Sequence, residues 1–390
     1  MATRPTKRTH RTAAKPPFDC IALLLQGGGA LGAYQAGVYE ALDEAGIAPN
    51  WIAGISIGAV NAAIVAGNRP EDRVAKLREF WEAVTSDHGW VWALAPEAAR
   101  HVGDFARGVA NQASAAVAMA QGAPGFFAPR AVPPWLCPPG TAEAISFYDT
   151  AALKSTLEQV ADFDRINSGE LRMSVGAVNV RTGNFSYFDS TTHVIRPEHV
   201  MASGAMPPGL PPVEIEGQHY WDGGLVSNTP LHWVVEHGTD RDLLVFQVDL
   251  WSARGEAPRD MPEVLTRQKE IQYSSRTRAA TSQFKSAKTM RHAIAALLGK
   301  LPKTQRDSPE ARYLAGLADD GVCNIVHLIY RTRAYEGHSK DYEFSRLSME
   351  EHWRAGYQDT VRTLRHPEVL ERPTCAEGVV TFDLSQDGRE

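Results

Sequence analysis

From Cys20 to Gln26 the chain is apolar almost without interruption. Such a run lacks the alternation of a half-exposed strand and suits a strand buried on both faces of a parallel sheet. From Leu31 to Ala45 the apolar positions recur at helical spacing, and Gly46 stops them. Trp51–Ile55 predicts a second short strand, Ile57–Ala66 a second helix closed by Gly67, and Glu71–Val84 a third helix. Strand, turn and helix in alternation imply an α/β fold with a mainly parallel sheet. Residues 87–140 break the pattern. They are rich in Ala, Gly and Pro, with "AVPPWLCPPG" at Ala131–Gly140. They read as an insertion, either a lid over a site or a surface loop with small helices. Periodicity then returns in a helix at Leu153–Val160. Leu171–Val180 and Asn184–Phe188 flank "RTG" and predict a hairpin. His219–Trp221 is a short strand entering "DGG". Thr229 and Pro230 stand as N-cap and first residue of another helix, and Leu243–Leu250 is an apolar strand. Beyond Trp251 come a long helix at Val264–Lys303, a strand at Asn324–Tyr330 and a helix at Met349–Leu364. The expected division is a disordered basic tail over 1–17, an α/β domain over 18–250, and a mostly helical extension with one strand over 251–390.

Charge and cysteine content narrow the partners. The 390-residue chain has a net charge of −6, which gives no footprint for nucleic acid. No stretch approaches the roughly 20 apolar residues of a membrane span. The tail carries Arg4, Lys7, Arg8, Arg11 and Lys15 and no acid. The long helix carries nine Lys/Arg against the single acid Glu270. Phe284, Ala287, Met290, Ile294 and Leu298 recur along it, either as the face of a helix lying on an anionic membrane or as a stripe packed on its own core. Cys20, Cys137, Cys323 and Cys375 are scattered and form no zinc spacing. They fit reduced thiols in a cytoplasmic protein, with peripheral membrane contact left open. Oligomeric state is not legible.

The candidate chemistry starts at "LLLQGGGALG". Gly27, Gly29 and Gly32 match G-x-G-x-x-G after a strand and before a helix, the fingerprint of dinucleotide binding. That fingerprint also needs an acid at the end of the second strand. Here the second strand runs into "GISIG", so Ser56 stands there between Gly54 and Gly58. A G-x-S-x-G between strand and helix is a nucleophile elbow, which lifts a serine hydroxyl clear of the sheet. With Ser56 as nucleophile, the glycine turn becomes a source of main-chain N–H groups for an oxyanion, Gly28 and Gly29 foremost, with Gly27 shaping the turn. The competing reading is a turn that only packs strand on helix.

A serine hydroxyl needs a base. His219, His232 and His327 are open candidates, each also readable as an ordinary structural residue. Asp222 in "YWDGGLVSNTP" is sharper, because it follows a short strand and precedes Gly223 and Gly224. Desolvation beside Ser56 would raise its pKa and make it a better base. The bland alternative is a plain Asp-Gly-Gly turn.

"GGGALG", "GISIG" and "DGG", in this order over about Ile21 to Leu250, resemble the patatin-like phospholipases. The resemblance implies a three-layer α/β/α sandwich and a lipid acyl hydrolase working through a Ser–Asp dyad without a histidine. It places Gly27, Gly28 and Gly29 in the oxyanion hole, Ser56 as nucleophile and Asp222 as base, with Gly32, Gly54, Gly58, Gly223 and Gly224 supporting the motifs. It implies an acyl-ester or lipid substrate and no metal or organic cofactor. The region after Trp251 is similar to the C-terminal extension of some bacterial members. Leu31 stands where many members carry arginine, so a positive charge that could meet a phosphate headgroup is missing. Two rivals remain: a dinucleotide-binding oxidoreductase, and a non-catalytic lipid-binding scaffold on the same fold.

Overall fold

A computed structural model describes residues 15–85, 104–238, 241–333 and 335–384. Most of the basic tail, and residues 87–103 of the insertion, lie outside the described residues.

A nine-stranded sheet organises the molecule. Strands β1 (Cys20–Leu25), β2 (Trp51–Ile55), β3 (Ala128–Pro129), β4 (Tyr148–Asp149), β5 (Arg172–Asn179), β6 (Phe185–Asp189), β7 (Val213–Ile215), β8 (Gln218–Asp222), β9 (Leu243–Asp249), β10 (Cys323–Ile329) and β11 (Val379–Phe382) follow in chain order. The sheet runs β11-β10-β9-β1-β2-β5-β8-β7, with β6 also on β5, while β3 and β4 pair separately. From β11 to β5 every pairing is parallel; β6, β7 and β8 join antiparallel.

The apolar run of β1 is explained by its two faces. Ile21, Leu23 and Leu25 enter one core with the helices Ala33–Glu44, Ile57–Ala66 and Arg73–Val84. Cys20, Ala22 and Leu24 enter a second core on the other face, with Leu231, Val234 and Phe284. Helices therefore cover both faces of a mainly parallel sheet.

Several boundaries differ from the hydropathy pattern for local reasons. The first helix begins at Ala33, because Gly29–Gly32 form a tighter 3-10 turn. Thr229 does not cap its helix. Its hydroxyl takes the Gln26 Nε2–H at 3.0 Å and lies 3.4 Å from the Asp249 carboxylate, and Pro230 stands at the cap. The long helix runs Met261–Lys300, three residues earlier than expected, since the Asp260 side chain caps it by accepting the Glu263 N–H and Pro262 fits its first turn. Within it Phe284 is buried, and Lys288 is buried in an ion pair with Asp319. The side chains of Arg276 and Arg278 lie outside the described residues.

The region after residue 250 carries two strands rather than one, and both extend the main sheet through β9. Its helix Arg346–Thr363 packs along Ala33–Glu44. Among the described residues no helix is long and apolar enough to cross a membrane.

Candidate active site

In parallel sheets, sites form beyond the carboxyl ends of the strands. Ser56 lies there, at the end of β2, and caps the helix Ile57–Ala66 with φ 55° and ψ −125°. A residue with a Cβ persists in such a conformation only when its surroundings hold it. The Ser56 N–H donates to Ser203 Oγ at 2.9 Å, and the Ser203 hydroxyl donates to the Gly176 carbonyl at 2.7 Å. The Ser56 carbonyl accepts the Ala59 N–H at 2.8 Å. A Cβ on Gly54 would sit 2.2 Å from the Gly58 carbonyl oxygen, and one on Gly58 would sit 2.2 Å from that of Leu25. The motif glycines thus answer to main chain packed on main chain. Gly32 serves the same turn, where a Cβ would meet Ile57 at 2.5 Å.

Strand register brings Asp222 to the same level. Ile55 of β2 pairs with Gly176 of β5, and Ala177 of β5 pairs with Asp222 of β8. Ser56 and Asp222 are 166 residues apart in sequence, yet they flank one strand. Gly223 permits this closeness, since its Cβ would lie 2.7 Å from the Gly176 oxygen. Asp222 is fully buried. Desolvation pushes its carboxyl up to about 7, against the opposing pull of the Ser56 hydroxyl and the Gly224 N–H. Gly224 N–H donates to Oδ1 at 2.7 Å. Oδ2 meets no partner in hydrogen-bond geometry. The Ser56 hydroxyl is thus close enough to act on the carboxyl, while Oδ2 itself is left without a hydrogen-bond partner.

The glycine turn faces these two groups. Gly27 has its N–H committed to the Asn228 carbonyl at 3.2 Å, so it is not placed to donate to an oxyanion as the motif resemblance implied. Its own carbonyl takes Asn228 Nδ2 at 3.0 Å and Trp251 Nε1 at 2.9 Å. The N–H groups of Gly28 and Gly29 have no acceptor among the described residues. Gly29 sits at φ +55°, and a Cβ there would fall 2.1 Å from the carbonyl oxygen of Asp341.

Ser56, Asp222 and Gly27–Gly29 open onto one cavity of about 540 Å³. Ala118, Met119, Phe126 and Phe127 from the insertion form one wall, and Met206 to Leu210 a second. Trp251, Tyr273, Tyr342 and Phe344 form a third, from beyond residue 250. Trp135, also in the insertion, is exposed and does not line the cavity. Among the described residues no histidine lines this cavity. His232 contacts Glu236 and His327 contacts Asp249. Leu31 is wholly buried in the core, and the cation that does line the cavity, Lys269, is bonded to Asp341. The described residues contain no cluster of His, Cys, Asp and Glu suited to a metal ion.

Sequence reading missed Ser203, Asn228, Lys269 and Asp341. Only Asn228 carried a signal, through its place in "SNTP" after the aspartate. Ser203 works through its hydroxyl on two main-chain groups, a role that leaves no motif.

The chain is similar to known proteins of one family. A family model described as "Patatin-like phospholipase" matches residues 23–234, more than half of the chain, and one described as "Patatin phospholipase" matches residues 271–376. A lysophospholipase, nte1, of Aspergillus terreus is 49% identical over 57 residues, 15% of this chain and 4% of its own. Patatin-like phospholipase domain-containing protein 6 of Homo sapiens is 42% identical over 69 residues, 17% of this chain and 5% of its own. The chain thus matches only a small fraction of those relatives' length. Among solved structures, VipD from Legionella pneumophila aligns over 96% of this chain and 73% of its own, at 12% identity and a TM-score of 0.37.

Proposed function

Because the chain belongs to the patatin-like phospholipase family, a family of lipid hydrolases, we propose that it cleaves carboxylic acyl esters through a Ser56–Asp222 dyad and an acyl-enzyme. Asp222 takes the proton of the Ser56 hydroxyl as Oγ attacks the ester carbonyl. The N–H groups of Gly28 and Gly29 hold the resulting oxyanion, each worth about 3 kcal/mol when well aimed. The tetrahedral intermediate expels the alcohol, which leaves with the proton from Asp222. Water then gives a proton to Asp222 and attacks the acyl carbon, the fatty acid departs, and Asp222 returns the proton to Ser56. Every step uses side chains and main-chain amides of this chain.

One observation carries the reading: a strained serine, a desolvated carboxyl and two unengaged amides converge on one apolar cavity. A ground-state carboxylate of ordinary pKa is a poor base near neutrality; one raised to about 7 is far better matched. The apolar walls suit an acyl chain. Peripheral contact with the lipid surface that supplies the ester is part of the same proposal. The oxyanion role of the glycine turn displaces the dinucleotide reading, since the turn borders Ser56 rather than an acid for ribose.

The test is release of free fatty acid from vesicles containing phospholipid and neutral glycerides, read by mass spectrometry. Fatty acid accumulates with the wild-type chain. No release from any acyl length would hand the fold to the non-catalytic scaffold instead.

A further inference from the structure

The oxyanion turn is held from the far end of the chain. The Asp341 carbonyl accepts the Ala30 N–H at 2.8 Å, next to the two unengaged amides. The segment bearing Asp341 is gripped in turn by two adjacent residues of the long helix. Lys269 Nζ bonds both carboxylate oxygens of Asp341, at 2.8 and 2.9 Å, and the His338 carbonyl at 2.9 Å. Glu270 Oε1 accepts Lys340 Nζ at 2.9 Å, and Lys340 also reaches the Thr332 hydroxyl.

The signs are crossed. Lys269 and Glu270 on the helix face Asp341 and Lys340 on the turn. A slip of one residue would set Lys269 against Lys340 in one direction, or Glu270 against Asp341 in the other. Like-charge juxtaposition of that kind is how proteins reject a wrong register. Stability alone does not account for the crossed order. The buried Glu270–Lys340 pair holds the Glu270 carboxyl below its ordinary range against desolvation, and the Lys269–Asp341 pair is partly exposed and screened.

We propose that this crossed clasp positions the oxyanion turn. Lys269 acts through Asp341, whose main-chain carbonyl fixes Ala30 and so aims the Gly28 and Gly29 amides. The inference rests on the hydrolase reading for its catalytic consequence. Lys269 is a positioning residue here, although it also lines the cavity. Its ammonium is already bonded to three oxygens, which leaves it poorly placed to recruit a substrate anion.

The full chain carrying Lys269→Met tests this. With p-nitrophenyl butyrate, kcat falls roughly 10- to 100-fold while KM stays within about 2-fold, because misaim at a reacting centre costs rate rather than binding. The Ala30 amide also exchanges faster with deuterium. Lys269→Arg can still bond Asp341 and His338, and restores most of kcat. Asp341→Asn, which keeps the main-chain carbonyl, replaces Lys269→Met if that variant does not fold. Unchanged kcat with unchanged exchange overturns the proposal. So does a raised KM at normal kcat, which would assign Lys269 to substrate binding. If the wild type hydrolyses no ester, the hydrolase reading fails by itself, and the exchange measurement alone decides whether the clasp holds the turn.

Discussion

Ser56→Ala and Asp222→Asn each lower kcat/KM for ester hydrolysis by roughly 10³-fold or more, and the double variant is hardly worse than either single one, because residues acting as a unit are not additive. In the wild type, kcat/KM rises with pH through about 7 and then levels, since Asp222 serves as base only when ionised. Stability runs the other way. Burial raises the folded-state pKa to about 7 from an ordinary value of 3.8. Between those limits the folded protein keeps a proton that the unfolded chain has lost, so stability falls as pH rises through that window. Above it, the wild type bears the full cost of a buried carboxylate, and asparagine does not. Asp222→Asn is therefore more stable than wild type at pH 8, by an amount on the order of 1–4 kcal/mol that vanishes toward pH 4. Thermal unfolding at both pH values checks the sign. An Asp222→Asn protein with normal turnover would remove the dyad and reopen the search for a histidine.

Gly37→Ala destabilises the protein by about 3 kcal/mol or more, although alanine is intrinsically the better helix former by about 1 kcal/mol. The helices Ala33–Glu44 and Arg346–Thr363 touch backbone to backbone. A Cβ on Gly37 would fall 1.9 Å from the Trp353 carbonyl oxygen, and one on Gly356 would fall 2.0 Å from that of Tyr34. Neither obstacle is a side chain that can swing aside, so the helices must part. That contact also docks the region that supplies Asp341 and Phe344 to the cavity. Gly299→Ala, near the end of the helix Met261–Lys300, is the control. Nothing lies within 4 Å of its Cβ position, and the substitution is neutral or stabilising by up to about 1 kcal/mol. Urea midpoints at constant m separate the two cases. Equal stability of Gly37→Ala and wild type would contradict the packing described.

What could be read from the chain follows from how far apart the cooperating atoms lie in sequence. β1 and β2 are legible because full burial needs an unbroken apolar run. Ser56 is legible because the elbow needs Gly54 and Gly58 within two residues of it. Asp222 is legible only as a suspect, since nothing local says that β8 lies against β5. β11 is four residues long, too short for any period to emerge, and it was missed. Thr229 looked like a cap because its side chain can cap; its hydroxyl instead faces Gln26 and Asp249. The commitment of the Gly27 amide, the main-chain partners of the Ser203 hydroxyl and the bond to the Asp341 carbonyl are fixed by packing between distant segments, and local sequence does not encode them.

Reaction of the 390-residue chain with a fluorophosphonate, followed by peptide mapping, most directly tests whether Ser56 is the nucleophile activated at this cavity. The expected result is one phosphonyl adduct on Ser56, slowed in Asp222→Asn and absent in Ser56→Ala. An adduct on another residue, or labelling that persists in Ser56→Ala, would contradict it.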